Sequence, residues 1–83
     1  MSTESKTDVL ERLKKVLATE LKMDPDEIGD NDDLIMDLGV DSADMVTVLF
    51  AIENEFDIEI SDEEAAANTK VGDIVAEIER KLD

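Results

Sequence analysis

Residues 38–56 read L-G-V-D-S-A-D-M-V-T-V-L-F-A-I-E-N-E-F, and the rest of the chain is organised around them. Gly39 marks a turn, and Asp41 is of the type that caps a helix start, with Asp44 three positions on. Both carboxylates suit the positive end of a helix dipole. The spacing predicts a helix over 41–56 whose core side is Met45, Leu49, Ile52 and Phe56, with Ala43, Thr47, Phe50 and Asn54 opposite. That opposite stripe starts beside Ser42. It sends the aromatic ring of Phe50 either to a partner or onto the preceding loop.

Upstream, Val9, Leu10, Leu13, Val16, Leu17 and Leu21 recur at three-and-four spacing, predicting a first helix over 5–21. Ser5 or Thr7 caps it, and Asp8 sits in its first turn. Between 23 and 40 the pattern breaks at Pro25, Gly29 and Gly39, giving a long loop that Ile28, Leu34, Ile35 and Leu38 are spaced to anchor inward. Its crowded aspartates fail as a calcium loop: counting from Asp24, Ile28 falls fifth and Ile35 twelfth, where oxygen ligands are required. No dedicated metal site is expected.

Downstream, F-D-I-E-I at 56–60 alternates like a strand but has no second strand to pair with, so it reads as an extended connector that inserts Ile58 or Ile60 into the core. Ser61 and Glu64 form a capping box for a short helix over 62–67, which gives the Ser61 hydroxyl a structural role. Val71, Ile74, Val75, Ile78 and Leu82 line one face of a last helix over 71–82, with Thr69 as its cap and Arg80 and Lys81 at its negative end. The expected fold is all-α: a small four-helix bundle, three helices long and one short, in one domain over 1–83 with a long loop between helices 1 and 2.

The chain of 83 residues has neither cysteine nor histidine. Disulfides, thiol nucleophiles, zinc sites and Ser-His or Cys-His catalysis are therefore excluded together, and no base–nucleophile pair can be assembled for an enzyme. No apolar run is long enough to span a membrane and the N-terminus lacks the form of a signal peptide, so a cytoplasmic location and no membrane insertion are expected. The net charge of -16 is strongly segregated: residues 23–69 hold sixteen acids and no base, while both ends nearly balance. Such a field disfavours nucleic acid and steers basic protein surfaces toward the middle of the chain.

With Asp41 in the capping position, the Ser42 hydroxyl is left to point outward from the first helical turn. Lacking a neighbouring base, it is no nucleophile of this chain's own, but it is available for modification by another protein. A phosphate there would meet the free N–H groups of the helix start.

Three blocks, L-G-V-D-S-A-D-M-V, E-N-E-F-D-I-E-I-S-D-E-E-A and T-K-V-G-D-I-V, together resemble the free-standing acyl carrier proteins of dissociated synthases over nearly the whole chain. The resemblance implies an up-and-down bundle. It implies that Ser42 receives 4'-phosphopantetheine from coenzyme A, through a phosphopantetheinyl transferase, and that the arm's thiol carries acyl groups as thioesters. Partners would be synthase and acyltransferase enzymes with basic docking patches, met by a monomeric carrier. By position, Asp41, Asp44 and Glu53 match acidic docking residues, while Val46, Leu49, Ile60 and Ala65 match positions lining an acyl pocket.

This sequence departs from the family pattern at four places. Ala43 replaces the usual leucine after the serine, Thr47 stands where an acid is usual, and Phe50 replaces an aliphatic side chain, all on the outward stripe. These departures imply a specialised carrier for a restricted set of enzymes. Asn68 falls at a pocket position that is normally Ile or Leu, where an amide lacking a hydrogen-bond partner would disfavour a long saturated chain. Alternative readings are an aminoacyl or D-alanyl carrier and an unmodified acidic interaction domain.

The crowding of sixteen acids between residues 23 and 69 leads to a first prediction: added salt or divalent cations should raise the melting temperature by screening repulsion in the folded state. Thermal melts across a salt series check this, and a midpoint indifferent to both additions would show the repulsion to be negligible.

Overall fold

A computed structural model describes residues 6–82. Over them the chain forms four α-helices: α1 (Lys6–Leu21), α2 (Ser42–Phe56), α3 (Asp62–Ala67) and α4 (Val71–Leu82). The loop between α1 and α2 contains a single 3-10 turn, Pro25–Glu27, closed by a capping box between Asp24 and Glu27. Of the two caps expected for α1, Ser5 lies outside the described residues and Thr7 falls within the helix.

α1 packs against both α2 and α4. Their shared core holds Val9, Leu13 and Leu17 from α1, Val48, Ile52 and Phe56 from α2, and Val71, Ile74, Val75 and Ile78 from α4. Each large aliphatic side chain removed from water in this way contributes about 2 kcal/mol before conformational entropy is set against it. The core face of α2 is rotated from the expected one. Val48 is fully buried, whereas Met45 and Leu49 are half-buried. The short α3 opposite them supplies only alanines and acids and cannot cover them.

The long loop is anchored by Ile28, Leu34 and Val40, all buried, with Leu38 packed at the core margin. Ile35, expected to turn inward, is instead 48% exposed. The cause is Asp33, whose Oδ1 accepts the N–H groups of both Ile35 and Met36 and so folds those two residues into an outward turn. The other carboxylate oxygen of Asp33 accepts the Thr69 hydroxyl at 2.9 Å. Thr69 is thus a tie between loop and bundle rather than the cap of α4, and Lys70 holds the position before that helix. The Leu34 N–H donates to the Thr69 carbonyl at 2.8 Å, and the Val71 N–H to the Asp32 carbonyl at 2.9 Å. These bonds make an antiparallel bridge between Asp33 and Lys70, while no strand forms among the described residues.

Three of the few basic side chains join separate elements. Arg12 donates to the Glu55 carboxylate and carbonyl and lies 4.5 Å from the Phe56 ring centroid. Lys14 pairs with Asp30 at 2.6 Å, and Lys81 pairs with Glu64 at 3.1 Å. After α2 the chain turns at Asp57, in the left-handed conformation, and runs extended with Ile58 and Ile60 both half-buried on the core. Gly39, with φ of 72°, makes the last turn before α2, and space is open where a Cβ would stand.

The Met36 N–H and Thr69 hydroxyl hold the Asp33 carboxyl below the usual value of 3.8. A carboxyl depressed in the folded state adds stability that is present above its unfolded pKa and is lost as pH falls through the folded one. Asp33→Ala should therefore melt below wild type, with a gap that is full above about pH 5 and narrows below about pH 4. Paired melts across this range check it, and comparing the two proteins cancels the general relief of acid repulsion at low pH.

Candidate functional site

Asp41 has an extended backbone and ends the loop, and its Oδ1 accepts the Asp44 N–H at 2.9 Å. Its carbonyl accepts the Met45 N–H at 2.8 Å, which closes the first turn of α2. Ser42 is the first helical residue, and it is exposed. With Asp41 serving as the cap, the Ser42 hydroxyl forms no hydrogen bond to the described residues.

Beside Ser42 lies an open cleft of about 490 Å³. Met45, Val46 and Leu49 of α2 form one wall, Asp62, Ala65 and Ala66 of α3 the other, and Ile35, Val40 and Thr69 its end. The cleft exists because α2 turns Met45 and Leu49 toward the alanines of α3. Its polar lining residues are Asp41, Ser42, Asp62 and the already bonded Thr69. A larger cleft of about 580 Å³ between α1 and α2 is walled by charged side chains such as Arg12, Lys15 and Glu55, and Ser42 is not part of it.

Of the residues expected to line an acyl pocket, the cleft brings together Val46, Leu49 and Ala65. Ile60 and Asn68 stand elsewhere. Ile60 packs at the core margin, and its N–H donates to Glu53 Oε2 at 2.8 Å. Asn68 ends α3, donates its amide N–H to the Glu64 carbonyl at 2.9 Å and is not among the residues that line the cleft. Ile35, Met45 and Ala66 were not anticipated as lining residues. The usable signals were the three-residue spacing from Ser42 to Met45 and the alanine run at 65–67.

The residues expected to meet partners are mostly open to solvent. Asp41, Ala43, Asp44 and Thr47 are exposed, and Phe50 is 66% exposed, so its ring does not pack on the loop. Glu53 is half-buried and engaged with the connector.

These features fit a phosphodiester on Ser42. The hydroxyl is accessible at the positive end of a helix of 15 residues, and the neighbouring cleft has apolar walls. The Asp41 and Asp44 carboxylates oppose an anion there, but both are exposed and screened by water.

Residues 11–78 match the sequence signature described as the phosphopantetheine attachment site. This chain belongs to the acyl carrier protein family. It is 43% identical over 76 residues to an acyl carrier protein of Phenylobacterium zucineum, covering 92% of this chain and 96% of the relative. An acyl carrier protein of Clostridium acetobutylicum is 46% identical over 67 residues, 81% of this chain and 87% of its own. One from Caulobacter vibrioides is 43% identical over 75 residues, 90% and 96% respectively. The acyl carrier family consists of carriers rather than enzymes; its prosthetic group is 4'-phosphopantetheine, and its general setting is fatty acid or related biosynthesis. Among the described residues, no helix is long and apolar enough to cross a membrane.

Proposed function

We propose that Ser42 is the residue that takes the 4'-phosphopantetheine arm, and that the chain works as one cytoplasmic carrier domain over 1–83. The observation that carries this reading is a free, exposed Ser42 hydroxyl at the rim of an apolar cleft, made available because Asp41 fills the cap. When attached, the arm supplies the thiol that this cysteine-free chain lacks. The chain's own residues then perform two tasks. The start of α2 holds the attachment oxygen in solvent, where a transferase can reach it, and Met45, Val46, Leu49, Ala65 and Ala66 offer apolar surface to a tethered acyl chain.

The exposed face of α2 is the docking surface in this reading. Asp41 and Asp44 attract basic rims on synthase and acyltransferase enzymes, and Glu53 adds to the same acidic field. Ala43, Thr47 and Phe50 give the surface between them a character of its own, with little to contact at Ala43 and a large ring at Phe50. We read this as a carrier for a restricted set of partners. The satisfied Asn68 amide leaves the cleft without the polar group that would have opposed a saturated chain.

Incubation with coenzyme A and a broad-specificity phosphopantetheinyl transferase should raise the intact mass of wild type by one phosphopantetheine and leave Ser42→Ala unchanged. No gain in a folded wild type, across several transferases, would favour the unmodified interaction domain. The loaded carrier should be turned over by a housekeeping ketosynthase with kcat/KM at least about tenfold below that enzyme's own carrier, a difference of about 1.4 kcal/mol. Equal turnover would remove the case for specialisation.

A further inference from the structure

α3 forms a wall of the cleft beside Ser42, yet it is poorly anchored by apolar packing. Of its six residues only Ala65 is buried, and Asp62 and Ala66, which share the cleft wall, are exposed. Its ties are polar. Glu64 makes two at once: Oε1 accepts the Ser61 N–H at 3.0 Å in the capping box, and Oε2 meets Lys81 Nζ of α4 at 3.1 Å.

Lys81 is itself held from its own helix. Glu77 is the buried charged residue among the described ones, at 6% exposure, and its two oxygens meet Arg80 and Lys81, the latter at 3.6 Å. A carboxylate removed from water needs such partners. Lys81 therefore cannot turn freely to solvent without leaving Glu77 one base poorer. Its ammonium stands fixed between a buried acid of α4 and the acid that caps α3.

We infer that Lys81 is a positioning residue for the cleft: clamped between Glu77 and Glu64, it holds α3 as a wall and so sets how far a tethered acyl chain is shielded from solvent. Control of the cargo's exposure would thus lie on the last turn of α4, among residues that do not line the cleft. The effect on cargo rests on the reading of Ser42 as the attachment site; the hold on α3 does not.

Hydrogen exchange of the unmodified protein tests the clamp directly. In Lys81→Met, exchange at the α3 amides should rise about fivefold, the scale of a partly screened ion pair, with α1 amides unchanged and Lys81→Arg close to wild type. Glu64→Gln, whose amide oxygen can still accept the Ser61 N–H, should repeat the Lys81→Met result and stands in if that variant fails to fold. Unchanged α3 exchange, or an equal rise throughout the bundle, would overturn the inference.

Cleavage by hydroxylamine tests the cargo. An octanoyl thioester should be cut faster on Lys81→Met than on wild type, whereas an acetyl thioester should be cut equally on both. Faster α3 exchange without faster octanoyl cleavage would overturn control of the cargo. Equal cleavage of octanoyl and acetyl thioesters on wild type would overturn the sheltering cleft itself, leaving exchange to decide the clamp.

Discussion

The arrangement of this bundle depends on a pair of backbone hydrogen bonds, Leu34 N–H to the Thr69 carbonyl and Val71 N–H to the Asp32 carbonyl. They stitch the long first loop to the junction of α3 and α4. Each is worth only about 1 kcal/mol net, but beneath them Leu34 and Val71 are fully buried, so polar and apolar contacts close on the same point. With the loop fixed there, the six residues from 35 to 40 have little freedom in where they deliver Asp41. The first turn of α2, and Ser42 with it, is placed by this contact and by the Val40 N–H, which donates to the Leu34 carbonyl at 2.8 Å.

Charge divides into two scales. Over distance, the sixteen acids of residues 23–69 give the middle of the chain one sign. At contact range, Arg12, Lys14 and Lys81 each reach from a balanced end of the chain to an acid in that region. None of these pairs is deeply buried, so each contributes modestly. What they add is placement: Arg12 holds the end of α2, Lys14 the loop and Lys81 the short helix.

Much of this was legible in the sequence wherever a local rule governed the outcome. Ser61 and Glu64 announced α3, and Asp41 with Asp44 announced α2, because capping is decided within four residues. The outward Ser42 followed from the same rule. Ile35, Val48 and Thr69 depart from the reading because each answers to something nonlocal or to a specific hydrogen bond. Asp33 turns Ile35 outward and takes the Thr69 hydroxyl from across the fold. Val48 is buried because α1 meets α2 one position around from the expected stripe. The Asn68 amide found a backbone carbonyl one turn back, a choice that a helical wheel does not encode. The cleft itself is a mismatch in size between α2 and α3, visible only once the two are placed side by side.

The turn at Gly39 leads the chain into α2. Its backbone is left-handed, yet open space lies where a side chain would begin, so what position 39 demands is chirality and not smallness. An L-alanine there would be strained by about 1 kcal/mol through its hand, although it would collide with nothing. Its mirror image, D-alanine, would sit in the same turn unstrained and would narrow the unfolded ensemble that glycine leaves wide. The approach of the chain to Asp41 and Ser42 thus runs through a left-handed turn that an achiral residue adopts without strain.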